Sequence, residues 1–430
     1  MSTHCNTAPY LKETAAVIPE ILLPRTGVDM EKWAVIACDQ YTSQIEYWQT
    51  ADDLVKEAPS TLRITLPEVY LEDEDKPERI AGIRGAMRKY IDEGIFEKHR
   101  GIVYVERQTT MGLRKGLVLA LDLDRYDYSP NSQSLIRATE GTIIERIPPR
   151  VEIRRGAPLE TPHIMVLIDD EKNIVIGGAE RAKNCYKKLY GFELMKGAGR
   201  IDGWLAEKDS DTDAILTALA ELSKGRSLLY AVGDGNHSLA TAKACYEELK
   251  AKDKEAAKTS AARFALVEIV NLHDSALEFE PIHRILFSVD TNCTERIVEL
   301  LLAAGNRGVS LNWEDKSEYS GDGFSIELIY GDKTGHLIIE KPVSDLAVGI
   351  LQPALDEYIK ESGAAIDYVH GQEAVLEAAR RGENLGLILP AMDKSHLFSY
   401  ISDNGPLPRK TFSMGEAEDK RFYIECRKIC

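Results

Sequence analysis

The sequence has few cysteines and no pattern among them. Its seven (Cys5, Cys38, Cys185, Cys245, Cys293, Cys426 and Cys430) include no C-x-x-C pair and no zinc spacing. An odd number scattered through a long chain suits a reducing cytoplasm better than a disulfide framework. Long hydrophobic runs are also absent. No stretch approaches the roughly 20 apolar residues that a membrane span needs. The first apolar run, from Ala15 to Leu23, is broken by Pro19 and Glu20, so no signal peptide is expected. Basic excess is missing too: the formal charge of −17 excludes the broad positive field of a nucleic-acid or anionic-membrane surface. A small anion needs only a local nest of donors and remains compatible with that charge.

Several catalytic signatures are lacking. There is no G-x-x-x-x-G-K-[ST] loop, no H-E-x-x-H and no G-x-S-x-G. Gly197-Ala198-Gly199-Arg200 has the wrong spacing for a dinucleotide fingerprint. The spacings among His163, His237, His273 and His283 give no support for a metal site. No internal repeat or low-complexity segment is visible.

What is present is an ordinary globular composition, 44% hydrophobic and 29% charged over 430 residues, enough for two domains. Strand-like runs alternate with helical patterns, which predicts an α/β fold with mixed sheets and flanking helices. Strands are expected at Trp33 to Cys38, Ile102 to Glu106, Gly116 to Asp122, Ile164 to Ile168, Phe264 to Val270 and Leu385 to Leu389. A hairpin is expected from Ser325 to Tyr330 and Leu337 to Glu340, around Gly331-Asp332. Helical spacing marks Ile45 to Leu54, Lys76 to Glu93, Asp213 to Leu222, Leu239 to Lys250, Ile297 to Ala304, Leu346 to Ile359 and Glu373 to Arg381. The lysine-rich stretch from Lys250 to Lys258 reads as a solvated helix end or loop. The Pro-rich join at Ile147-Pro148-Pro149-Arg150 divides a two-part composite, 1–150 and 151–430.

The most informative segment runs from Leu228 to Ser238. An apolar run ends in Gly233-Asp234-Gly235-Asn236-His237-Ser238, and a helix follows. Such a strand–turn–helix exposes unpaired amides at a helix start, where an anion is favoured. In the plainer alternative, Asp234 or Asn236 simply caps the helix. Two further polar clusters follow apolar strands: Asp39 to Ser43, including Tyr41, and Asn271 to Ser275, including Asp274. Ligands collect beyond the carboxyl ends of strands in α/β folds, so all three clusters, with His283 and Arg284, are expected to share one cleft.

An ordered set of segments carries a family resemblance. It comprises Gly116-Leu117-Val118, Arg137-Ala138-Thr139-Glu140-Gly141-Thr142, Asp234-Gly235-Asn236-His237, Val270-Asn271-Leu272-His273-Asp274, Pro281-Ile282-His283-Arg284 and Leu407-Pro408-Arg409-Lys410-Thr411. Through these the chain resembles the uncharacterised "domain of unknown function" family number ten-fifteen over most of its length. Family members usually carry His and Arg where this chain has Asn236 and Ser238, and again where it has Thr139 and Gly141. The Asp-Gly-x-His turn is also similar to one in the ParB/sulfiredoxin-like superfamily, which includes nucleotide-dependent free-serine kinases. In that superfamily the turn binds nucleotide phosphates. ParB-type DNA binding is disfavoured by the acidic charge, and sulfiredoxin chemistry by the absence of a cysteine in the turn.

Residues and resemblance together point to a small-molecule phosphotransferase, a kinase of free serine or a similar hydroxylated metabolite. Phosphate would be held by Asp234, Gly235, Asn236 and His237, with Arg137, His283, Arg284 and Lys410 neutralising charge. Glu140 or Asp274 would accept the hydroxyl proton, with His237 also in the catalytic set. Asp39, Tyr41 and Asn271 would contact substrate, and Asp234 would hold Mg²⁺. The donor would be a nucleotide or pyrophosphate. A non-catalytic sensor of an anionic metabolite, or a phosphatase of a small phosphorylated metabolite, would use the same anion nest.

Overall fold

Period-two alternation in the Gly112–Asp122 strand shows how the main sheet is built. Leu117, Leu119 and Leu121 point into one core, and Val118 points into another. The neighbouring Ile102–Thr109 strand repeats the division, with Tyr104 on the first side and Val103 and Val105 on the second. Both faces are therefore covered, and both strands read as continuous apolar runs rather than alternating ones. The computed structural model describes residues 8–313, 319–381 and 383–430.

The ten-stranded sheet runs in the order Lys187–Glu193, Arg200–Ala206, Ile102–Thr109, Gly112–Asp122, Phe264–Asn271, Met165–Ile168, Tyr230–Asp234, Ile136–Ala138 and Tyr126–Asp127, with Ala16–Val17 paired on Gly112–Asp122. One face is covered by the helices Asp209–Ser223 and Asn236–Lys252, through Ile215, Leu216, Leu219, Leu239, Ala242 and Tyr246. The other face packs against Trp33, Trp48, Ile83, Met87 and Tyr90, and against Phe422 and Tyr423 from the end of the chain.

The fold is α/β as expected, with mixed sheets flanked by helices. The division at residue 150 is corrected. That position lies inside the Ile147–Arg154 helix, and the main sheet takes strands from both sides of it. Two compact units form instead. One takes the chain up to Glu278 with Leu397–Pro406 and Gly415–Cys430; the other comprises Phe279–His396 and Leu407–Met414. The second unit is built on a seven-stranded sheet in the order Arg307–Trp313, Lys333–Lys341, Phe324–Tyr330, Leu385–Ile388, Phe279–Phe287 and Ala365–His370, with Phe412–Met414 on Phe279–Phe287.

Local departures have local causes. The strand expected from Trp33 is shortened to Val35–Ile36, because Asp29 accepts from the amides of Glu31 and Lys32 and so starts a helix over Met30–Trp33. Lys250 to Lys258 is not a loop: the long helix continues to Lys252, and Asp253 caps a second helix, Lys254–Thr259. The six cysteines among the described residues are free. No helix among those residues is long and apolar enough to cross a membrane.

Candidate functional site

The Tyr230–Asp234 strand is buried through Val232 and ends at Asp234, opposite Met165 of the antiparallel Met165–Ile168 strand. The chain turns at Gly235 in the left-handed conformation, φ 77° and ψ 28°. A β-carbon there would lie 3.0 Å from the Ile164 backbone, so the turn needs glycine for conformation and for space. Asn236 begins the helix, and no side chain caps it. Asp234 accepts from the Gly235 amide instead, at 2.8 Å. The capping alternative is therefore not adopted. The start of a 17-residue helix keeps its partial positive charge facing the turn.

Thr139 and Glu140 follow the Ile136–Ala138 strand, which runs parallel beside Tyr230–Asp234. The buried Thr139 hydroxyl donates to the Val232 carbonyl at 2.7 Å and receives the Asn236 amide at 3.4 Å. Thr139 thus joins the Glu140 loop to the turn, and the buried Asn236 Oδ1 has no hydrogen-bond partner. A β-carbon on Gly141 would meet open space.

The same end of the sheet gathers charges from distant parts of the chain. His163 precedes the Met165–Ile168 strand; its Nε2 lies 3.4 Å from Asp39, and its Nδ1 shares a 2.7 Å hydrogen bond with Tyr423. Tyr423 also accepts from the Cys38 amide at 3.1 Å. Lys420 lies 3.5 Å from Asp234, and Arg150 pairs with Glu68. Burial opposes charge on Asp39, yet the charge and hydrogen bond of His163, with Gln40 and Lys420, hold its carboxyl well below the usual carboxylate range. Burial opposes charge on His163 too, but Asp39, Asp234 and Glu68 raise its pKa. Burial and neighbouring Asp39 push Glu68 up against the pull of Arg150. Burial with Asp39 and Glu68 pushes the Cys38 thiol far above its ordinary range, which removes it as a nucleophile.

These shifts set a pH dependence. His163 is raised above 6.5, so the stability it contributes is complete below that value and is lost as the pH rises through the folded value. Asp39 is lowered below 3.8, so its contribution is complete above that value and is lost as the pH falls toward the folded one. The ion pair therefore stabilises most between the two ordinary values. In His163→Gln the alkaline-side decline in thermal midpoint is expected to flatten, read by calorimetry from about pH 5 to about pH 9. A profile identical to that of the parent protein would count against the pair.

The other anticipated residues divide. His237 and Ser238 lie in the first helical turn, and the His237 carbonyl accepts from Thr241. Tyr41 sits in the loop after Val35–Ile36 and stacks on Tyr47 at 3.9 Å. Arg137 is 3% exposed and donates to Ser134 and Ser227, near the opening of its strand and away from the turn. The single shared cleft is also corrected. Met165 faces both Asp234 and Glu268, whereas Asn271 pairs with Ile168. Three residues separate those levels, about 10 Å at the rise of a strand. Asn271 and Asp274 therefore occupy the opposite end of the sheet, where Asp274 accepts from the amides of Lys115 and Ala276. His283, Arg284 and Lys410 belong to the second unit. There Arg284 is fully buried and bonds Gln352 and the Ile282 carbonyl. His283 accepts from the Leu389 amide, and burial with Arg284 and His370 lowers its pKa to about 4. Lys410 is exposed with φ 59°.

The sequence pattern pointed to Asp39, Glu140 and the turn but not to His163, Glu68, Arg150, Lys420 or Tyr423 as a group. His163, one residue before an apolar strand, carried a readable signal.

A model of the family described as "Protein of unknown function (DUF1015)" matches residues 22–358. The chain belongs to this family. No curated protein matches. Among solved structures, a free serine kinase in complex with AMP is 12% identical, with a TM-score of 0.41, over 73% of this chain and 92% of the other. A conserved hypothetical protein from Pyrococcus furiosus is 13% identical, with a TM-score of 0.38, over 73% and 94%. A C-terminally truncated SbnI from Staphylococcus aureus is 10% identical, with a TM-score of 0.36, over 69% and 82%.

Proposed function

We propose that this member of the DUF1015 family is a small-molecule phosphotransferase that binds phosphate at the Asp234–Ser238 turn and phosphorylates a hydroxylated metabolite such as free serine. One observation supports this above the others: a long helix starts without a side-chain cap directly behind left-handed Gly235. The amides of its first turn, with Asn236 and His237, form the phosphate nest, and Lys420 adds a buried cation beside Asp234. Glu140, joined to the turn through Thr139, accepts the hydroxyl proton. Asp39, kept ionised by His163, offers a fixed anion for an ammonium or hydroxyl group of the acceptor. Arg137, Arg284, Lys410, Asn271 and Asp274 have no part in this assignment.

The donor is a nucleotide or pyrophosphate. Asp234, the carboxylate at the end of the strand beside the nest, is the residue that would meet Mg²⁺ carried in on such a donor. When bound, the ion would neutralise phosphate charge. Incubation with ATP, ADP or pyrophosphate and a panel of hydroxy amino acids is expected to yield a phosphorylated acceptor. Failure of every donor to be consumed, and of every nucleotide to shift the melting temperature, would end the proposal.

His237→Ala is expected to weaken donor binding roughly tenfold or more, the equivalent of a lost charge-assisted hydrogen bond of about 1.5–3 kcal/mol. The fold should persist; calorimetric titration gives the affinity and thermal unfolding checks the fold. An unchanged affinity would return His237 to a packing role.

A further inference from the structure

At the opposite end of the main sheet the Met165–Ile168 and Phe264–Asn271 strands lie side by side and parallel, with Ile168 level with Asn271. Their following loops therefore emerge together, as Asp169-Asp170-Glu171 and Leu272-His273-Asp274. Crevices beyond the carboxyl ends of parallel strands are where open α/β sheets collect ligands. Here they collect one imidazole nitrogen and two carboxylate oxygens, from His273, Asp169 and Glu171, within 4.8 Å of one another. Asp169 Oδ1 is 2.7 Å from His273 Nε2.

We propose that Asp169, Glu171 and His273 form a binding site for a divalent transition-metal ion of the zinc or cobalt type. The donor set decides the class. One imidazole with two carboxylates suits Zn²⁺ or Co²⁺, whereas Mg²⁺ and Ca²⁺ take oxygen donors. Donors that share one ion at about 2.0–2.2 Å stand roughly 3.3–3.6 Å apart in a tetrahedron, so these side chains would adjust by about 1 Å on binding. The ligands come from two loops rather than from one acidic run, and groups behind them hold those loops. Arg226 binds the far oxygen of Asp169 at 3.0 Å and leaves Oδ1 turned to His273, as outer partners orient ligating carboxylates. Buried Asn271 donates to the Asp170 carbonyl at 2.9 Å and accepts from the Asp170 and His273 amides at 3.3 Å, which locks one loop to the other. Half-buried His273 and Asp169 form the floor, and exposed Glu171 completes the site from the solvent side. Three protein ligands leave a coordination position for water or a substrate oxygen.

The test uses the full chain, stripped with a chelator and titrated with Co²⁺ and, separately, Zn²⁺. One equivalent of Co²⁺ is expected to raise a visible absorption band that Zn²⁺ displaces. Glu171→Gln, at an exposed position where folding is undisturbed, should weaken Co²⁺ binding at least tenfold, and His273→Ala should abolish the band. Absence of the band in the parent protein, or equal affinity in parent and Glu171→Gln, would overturn the site. Phosphoryl transfer at the Asp234 turn depends on none of these residues, so either assignment can fail alone.

Discussion

Gly235→Ala is expected to remove phosphate binding and to destabilise the first unit together. The left-handed conformation costs an L-residue about 1–2 kcal/mol. The added methyl would also stand 3.0 Å from the Ile164 backbone, a contact that relaxes only if the turn or the neighbouring strand moves. Either movement shifts the amides of Asn236, His237 and Ser238 relative to the Glu140 loop, which is tied to the turn by the Thr139–Asn236 hydrogen bond. Donor affinity should fall at least tenfold, more than in His237→Ala, because the whole nest moves instead of one side chain. Denaturant unfolding gives the stability change and calorimetric titration the affinity. Wild-type binding in a stable Gly235→Ala protein would show that the turn is not the phosphate site.

Glu140→Gln should leave donor affinity and fold intact and cut turnover by about 10²–10⁴, the usual contribution of a positioned general base. The amide keeps the shape of the side chain and removes only its capacity to take a proton. Asp274, the other carboxylate that the sequence offered for this role, lies at the opposite end of the sheet, and its oxygens accept backbone amides. Asp274→Asn is therefore expected to leave turnover per folded molecule within about twofold of the parent, since its carboxylate holds backbone amides and lies away from the turn, so any cost falls on stability. The paired measurement is steady-state kinetics with direct donor binding. Full turnover in Glu140→Gln would move the base elsewhere. A parent protein that binds donor and turns nothing over would instead be a sensor.

The elements themselves were legible wherever apolar periodicity was strong. The Ile102–Thr109, Gly112–Asp122 and Phe264–Asn271 strands and the Lys76–Asp92 helix lie where the pattern put them. The strand–turn–helix was legible for a stronger reason: an apolar run cut off by Gly233-Asp234-Gly235 admits few backbone paths. What could not be read was register and strand direction. Asp234 and Asn271 each end an apolar strand, yet Tyr230–Asp234 runs antiparallel to Met165–Ile168 and Phe264–Asn271 runs parallel to it. Two similar sequence endings therefore face opposite ways. Arg284 misleads similarly, since a guanidinium beside a histidine looks functional until its burial on Gln352 and Ile282 is seen. The Asp39–His163–Tyr423 group was hidden because its members lie far apart in the chain, joined only by folding.

The most direct test of the phosphate site is residue-resolved amide NMR of the full chain, with ADP or pyrophosphate added to saturation. Binding at the helix start predicts that the Asn236, His237 and Ser238 amides shift most, that Thr139 and Glu140 follow, and that Asn271 and His273 stay in place. Saturating donor that leaves the Asn236–Ser238 amides unmoved would contradict the central claim.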